Sequence, residues 1–325
     1  MKNILSNAII AIIVIALSVL GFVFASPQLS GVQLETFWIL LIICGSSALY
    51  CFVVGEISRN NSQMDKLWSI LPIAYAWVIA GKGGMNVRLV VIAVLVTLWG
   101  MRLTFNFARK GAYRLKFWEG EEDYRWAILR QKAPLNNKFG WAMFDLFFIS
   151  IYQNVLVLAI TLPALVCIGS DAPFGVFDYI AAAGSFLFLL LEFIADEQQW
   201  KFHQEKKRLL ASGKTLDELE EPYRKGFNTT GLWGYMRHPN YLGEQGFWFV
   251  LYIFAIGAGA TVYGIFNWTM IGPLFLIFLF LGSCAFGEGV SNGKYKEYRY
   301  YLAYVFRYFP IRKYNLEKAK KKLGE

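Results

Sequence analysis

Charge is scarce in this chain. Only 17% of its 325 residues are Asp, Glu, Lys or Arg, where a soluble domain carries about one quarter. That shortfall excludes an ordinary water-facing surface. Histidine is rarer still, at two residues, and the four cysteines (Cys44, Cys51, Cys167, Cys284) form no C-x-x-C pair. So few imidazole and thiolate ligands exclude a zinc or haem centre, and no metal is expected. All four cysteines fall in or beside apolar runs and read as packing residues. Internal repeats and low-complexity tracts are lacking. No G-x-G-x-x-G follows a strand-like run, which leaves no place for a Rossmann domain.

What is present is apolar. Hydrophobic residues make up 56% of the chain, and its mean hydropathy is +0.41. Several runs reach the roughly 20 residues that cross a bilayer core as helix. The chain therefore reads as all-α, a polytopic transmembrane helical bundle forming one integral membrane domain over residues 1–325. Eight spans are expected, at 4–26, 36–55, 67–81, 86–108, 142–168, 174–195, 240–260 and 263–286. The third is short enough to be tilted, re-entrant or covered by its neighbours. Residues 1–26 also admit a signal-peptide reading. Their apolar run is longer than the usual 7–15 residues or so, and no small-x-small site follows, so a retained span is expected.

The net charge of +9 would point to nucleic acid in a soluble protein. Here it follows topology instead, and no nucleic-acid partner is expected. Loops 27–35, 169–173 and 261–262 hold no Lys or Arg, and loop 82–85 holds only Lys82. Loops 109–141 and 196–239 and the tail from Gly287 are strongly basic. The alternation places the basic set and both termini in the cytoplasm. Residues 196–212 form a charged helix with Trp200, Phe202 and Leu209–Leu210 among the charges, as at a membrane surface, and Ser212-Gly213 ends it. The host membrane is a bacterial inner membrane or the endoplasmic reticulum.

The segment N-T-T-G-L-W-G-Y-M-R-H-P-N-Y-L-G-E at 228–244 gathers polar chemistry beside an apolar run. Arg237 can pair with phosphate as a fork, and His238 can donate to phosphate or ribose. Gly231 and Gly234 permit close backbone approach. With Pro239 at the first helical position, Asn240 and Glu244 lie one turn apart on one face. Such a basic, glycine-punctuated loop suits a large anionic cofactor. The bland readings are a loop histidine before proline and a first-turn acid complementing the helix dipole.

Ionisable groups in or near spans are costly, so each is a candidate by default. Arg102 has a snorkelling reading. Asp145 and Glu192 lie near span ends, where they can pair with basic residues. Tyr152-Gln153-Asn154 either bonds between helices or lines a cavity. Glu288 is an interfacial carboxylate or a site residue. Tyr295, Tyr298 and Tyr301, spaced by three, form an aromatic belt or part of a site. Asp65 and Tyr75, in M-D-K-L-W-S-I-L-P-I-A-Y, are either interface anchors or proton donors in an apolar pocket.

Taken together, T-G-L-W-G-Y-M-R-H-P-N-Y-L-G-E at 230–244, D-K-L-W-S at 65–69, L-W-G-M-R-L at 98–103, E-F-I-A-D-E-Q at 192–198 and K-Y-K-E-Y at 294–298 resemble a known family. It is the bacterial-type branch of the steroid 5-alpha-reductase superfamily, related to the sterol C14 reductases. The resemblance runs from about Asp65 to Pro310, leaving two extra spans in residues 1–64. It implies an all-helical membrane enzyme that binds NADPH from the cytoplasm and reduces a C=C bond conjugated to a carbonyl in a hydrophobic lipid or steroid-like substrate. By resemblance, Arg237, His238, Asn240, Tyr241 and Glu244 hold the cofactor, joined by Asn228, Gly231, Leu232, Asp196, Tyr295 and Tyr298. Relatives polarise the substrate carbonyl with an acid and a tyrosine from the N-terminal half. Asp65 with Tyr75 is taken for that pair, and Glu288 as a further catalytic candidate. Besides the substrate and membrane lipids, no protein partner is indicated.

Two other classes fit the same residues. R-H-P-x-Y-x-G also occurs in S-adenosylmethionine-dependent isoprenylcysteine and phospholipid methyltransferases, and a non-catalytic lipid-binding protein can keep the fold.

Overall fold

The computed structural model describes residues 29–261 and 264–325. Among the described residues the chain is helical, with no strand and one isolated parallel bridge between Met236 and Phe306. Five described helices are long and apolar enough to cross a bilayer: Gly31–Ser58, Val87–Ala108, Lys138–Leu165, Val176–Ala211 and Trp268–Lys294. Each overlaps an expected span.

Three expected spans differ or lie elsewhere. The span at 4–26 lies outside the described residues. The span at 67–81 is a helix of 12 residues, Leu71–Lys82. At about 1.5 Å per residue it reaches about 18 Å, short of a core about 30 Å thick. Gly84, at φ +65°, turns the chain just past its end. The span at 240–260 is divided into Pro239–Leu251 and Ile253–Gly257 by a turn at Tyr252. Hydropathy registers apolar runs but not the turns within them, so eight full-length spans are not found among the described residues. The amphipathic segment at 196–212 continues the preceding span without a break, and the helix ends at Ala211.

Contacts divide the chain into two compact units, Met1–Ala182 with Leu251–Phe275, and Ala183–Val250 with Leu276–Glu325. In the first unit, Ser30 opens the helix Gly31–Ser58 with a capping box closed by Gln33. Its buried residues (Thr36, Phe37, Leu40, Cys44, Ser47, Cys51, Gly55) recur every three or four positions and so share one face. Trp38, Ile42, Leu49 and Ile57 are exposed. A helix apolar on its open side has lipid as its solvent. The inner face packs on the π-helical turn Asp145–Tyr152 and the helix Gln153–Leu165.

Arg88 and Asp178 pin the same unit. Both are almost fully buried, with Arg88 Nε donating to Asp178 Oδ1 at 2.6 Å and Nη2 to Oδ2 at 3.0 Å. The guanidinium also donates to the carbonyls of Ala172, Pro173 and Gly257. One planar fork thus joins the start of Val87–Ala108, the loop before Val176 and the end of Ile253–Gly257.

In the second unit, Pro239–Leu251 lies directly on Val176–Ala211. A Cβ on Gly243 would sit 3.0 Å from the Glu192 backbone nitrogen, and one on Gly246 would sit 2.4 Å from the Phe188 ring. Small residues allow this approach, which sets Asn240 beside Asp196.

Candidate functional site

The loop 227–238 in the second unit is built by hydrogen bonds to its own neighbours. Asn228 Oδ1 accepts from the Thr230 backbone and hydroxyl at 2.9 and 2.8 Å. Leu232 N donates to Gln198 Oε1 at 2.8 Å, and Trp233 Nε1 donates to the Ala195 carbonyl at 3.0 Å. Gly231 has φ +54°, and any Cβ there would lie 2.4 Å from Gln198 Oε1. The positive φ favours glycine at this point, and the close approach brings the Gln198 amide onto the loop.

The far end of the loop is tied to the carboxy-terminal segment. Arg237 N donates to the Phe306 carbonyl at 3.0 Å and His238 N to the Arg307 carbonyl at 3.1 Å. The Tyr301 hydroxyl donates to the Met236 carbonyl at 3.1 Å. Glu288 is the ionic centre. Its Oε1 accepts from Arg237 Nε at 2.8 Å and from His238 Nε2 at 2.9 Å, and its Oε2 accepts from Arg307 Nη2 at 3.0 Å. The Arg237 Nη1 donates to the Leu302 and Val305 carbonyls. Arg237, expected as a phosphate fork, thus directs its Nε and Nη1 to partners inside the protein. Glu288, expected as a catalytic candidate, holds three side chains in place.

His238 stacks on Tyr241, with ring centres 5.2 Å apart, and Tyr241 meets Phe280 edge-on at 4.5 Å. Burial lowers the His238 pKa from 6.5, while the Glu288 bond opposes that shift. At neutral pH the imidazole is accordingly uncharged and donates its Nε2 proton to Glu288. The unfolded chain takes up a proton near pH 6.5, before the folded chain does. The stability that neutral His238 confers is thus complete above pH 6.5 and falls as pH drops below it. Thermal melts at pH 7.5 and 5.5 should show a larger acid loss in the wild type than in His238→Gln. Equal losses would contradict this burial.

Asn240 Nδ2 donates to Asp196 Oδ1 at 3.2 Å, while its buried Oδ1 has no hydrogen-bond partner. Arg307 Nε is likewise buried and unpartnered. Glu244 is buried. Tyr298 is buried in a cluster with Phe227, Tyr301 and Val305, against which Tyr295 packs. These tyrosines are packed inward, not displayed as an exposed belt, and burial lifts the Tyr298 pKa to about 12. A groove of about 780 Å³ opens beside the loop, lined by Gln198, Trp200, Lys201, Arg208, Tyr223 and Thr230. Of this set, sequence reasoning missed the roles of Arg307 and Gln198. Gln198 closes the quoted run 192–198, but Arg307 carries no local signal.

Asp65 and Tyr75 belong to the first unit. Asp65 Oδ2 accepts from Trp126 Nε1 at 3.0 Å, and Arg125 lies 3.7 Å from Oδ1. Burial raises the Asp65 pKa, against the pull of Arg125. Tyr75 is fully buried against Cys44, and among the described residues no hydrogen bond joins it to Asp65. Asp145 is fully buried and accepts from Asn61 Nδ2 at 2.7 Å and from Ser150 Oγ at 3.3 Å. Asn154 reaches Cys51 on the neighbouring helix at 3.7 Å, which makes it an interhelical contact.

The family model described as "Protein of unknown function (DUF1295)" matches residues 51–307. The chain is 35% identical over 283 residues to "Uncharacterized protein C594.04c" of Schizosaccharomyces pombe, covering 81% of this chain and 78% of that one. No solved structure matches. With a family match spanning well over half its length and a helical, membrane-type fold, the chain belongs to the DUF1295 family, the steroid 5-alpha-reductase-like group.

Proposed function

We propose that this protein is an NADPH-dependent membrane oxidoreductase that saturates a C=C bond conjugated to a carbonyl in a hydrophobic lipid or steroid-like substrate. The loop 228–244 carries the reading, because it is rigidly built and yet leaves polar capacity unspent. Native proteins rarely bury polar atoms without partners. Asn240 Oδ1 is a spare acceptor and Arg307 Nε a spare donor, the pair of functions that an amide or hydroxyl and a phosphate would use. The groove beside Thr230 adds Lys201 for anionic groups, Arg208 paired with Glu205, and Trp200 and Tyr223 as flat apolar surfaces. These residues fit a phosphorylated dinucleotide.

When bound, NADPH supplies the two-electron reducing equivalent. The chain's own residues do the positioning. Glu288 locks Arg237, His238 and Arg307, which fixes the loop. Asp196 accepts from the Asn240 amide nitrogen and so fixes its orientation. Asp65 and Tyr75, both of the first unit, are the proposed acid and phenol. Burial raises the Asp65 pKa, the direction that a proton donor requires.

Thermal unfolding in detergent tests the cofactor. NADPH at about 100 times its Kd should stabilise the protein by about 2.7 kcal/mol, with NADH weaker. Asn240→Ala should keep the unliganded melting temperature within a few degrees and lose most of the NADPH shift. Stabilisation by S-adenosylmethionine with none by NADPH would overturn the reading in favour of methyl transfer.

A further inference from the structure

The carboxy-terminal segment is more than a tail. From Phe306 to Glu325 it carries seven basic residues against two acidic ones. Lys320 pairs with Glu317, and Arg307 with Glu288. Arg312, Lys313, Lys318 and Lys321 are exposed and have no acidic partner among the described residues. Between these charges and the Glu288 cluster stand two bare apolar side chains, Phe309 at 66% exposure and Ile311 at 65%. Exposed aromatic and aliphatic groups beside unpaired cations suit a surface that is apolar within and anionic at its edge. A soluble polyanion would use the cations and leave Phe309 and Ile311 in water. Only eleven residues separate the segment from the last apolar helix, which ends at Lys294, so a bilayer face is at hand.

The segment is also stitched to the candidate cofactor loop. Phe306 bridges Met236, and Tyr314 N donates to the Gly234 carbonyl at 2.7 Å. Arg312 lies over the Phe306 ring at 5.3 Å and Lys313 over the Tyr235 ring at 5.9 Å. The cations that face solvent are therefore anchored on the same backbone pairing that holds Tyr235–His238.

We infer that the segment Phe306–Lys322 is a strap that binds anionic phospholipid headgroups of the surrounding leaflet and thereby tightens the loop 231–238. Phosphates bridging Arg312, Lys313, Lys318 and Lys321 restrain the strap. Its main-chain bonds to Gly234, Arg237 and His238 pass that restraint to the loop. The lipid contact depends only on the placement of the strap. Its consequence for cofactor binding rests on the proposed function.

Amide hydrogen exchange of the full-length protein in nanodiscs tests this without any cofactor present. Discs of phosphatidylcholine are compared with discs containing about one third phosphatidylglycerol. Exchange at 231–238 and 306–314 should slow about tenfold in the anionic discs, a modest part of what four cations at an anionic surface can supply. High salt should remove the difference. So should substitution of Arg312, Lys313, Lys318 and Lys321 by Gln, which alters only exposed side chains. Equal exchange in the two discs would overturn the inference, and that comparison uses the unsubstituted protein. Equal slowing by soluble inositol hexakisphosphate in phosphatidylcholine discs would also overturn it, by showing an ion site instead of a lipid surface. Because NADPH is omitted, neither failure bears on the cofactor reading.

Discussion

Replacing Arg88 by methionine should destabilise the first unit by about 3–5 kcal/mol, the usual loss when one member of a buried ion pair is removed. Arg88 is 2% exposed, and Asp178 is fully buried. Without the guanidinium, the Asp178 carboxylate keeps the Gly175 backbone N–H, at 2.8 Å, as its donor among the described residues. The Ala172, Pro173 and Gly257 carbonyls lose a donor at the same time. Lysine should rescue little, because one ammonium cannot reproduce a planar fork bonded to both carboxylate oxygens and to carbonyls of separate segments. The double substitution Arg88→Met/Asp178→Leu should recover much of the loss, since paired removal leaves no buried charge. Denaturation in detergent measures all three variants. A near-neutral Arg88→Met would show that the pair is dispensable.

Glu288→Ala is the second large effect. It releases Arg237, His238 and Arg307 together, and two of these are cations with little water around them. Removing a carboxylate at the centre of such a set costs about 3 kcal/mol, near the lower end of the range because the Arg307 side chain keeps 30% exposure. The loop should loosen as well, so any NADPH-induced thermal shift should disappear along with the stability. Glu288→Gln should be milder, since an isosteric amide keeps one acceptor for the three donors. If Glu288→Ala melted like the wild type and kept the shift, the ionic centre would not be what fixes the loop.

The membrane class was legible because long apolar runs and scarce charge are properties of composition. The five long helices were legible for the same reason. The amphipathic continuation to Ala211 was read from its charge pattern and its Ser212-Gly213 stop, and Gly213 does adopt φ +90°. The short helix Leu71–Lys82 and the turn at Tyr252 were not, since a hydropathy window averages over both. At the candidate site, the run 228–244 could be identified as a loop of unusual chemistry. Its partners could not. Glu288 lies some 50 residues from Arg237 and His238, and Arg307 is one of many basic residues near the chain end. Arg88 and Asp178, 90 residues apart, each look like ordinary span-end charges. Only folding shows that they face each other. Tyr298 and Tyr301 have the helical spacing of an interface belt, yet their rings pack around Phe227. Spacing gives the shared face but not what that face meets.

The central claim is reductive chemistry on a membrane lipid, and isotope transfer tests it most directly. Purified protein is incubated with a lipid extract and NADPH deuterated at the nicotinamide C4 position, and the lipids are then read by mass spectrometry. The account predicts a lipid that gains one deuterium from NADPH and one hydrogen from solvent, with equimolar NADPH oxidation and loss of its conjugated-carbonyl absorbance. A methyl group appearing on a lipid only when S-adenosylmethionine is supplied, with no deuterium gained from NADPH, would contradict it.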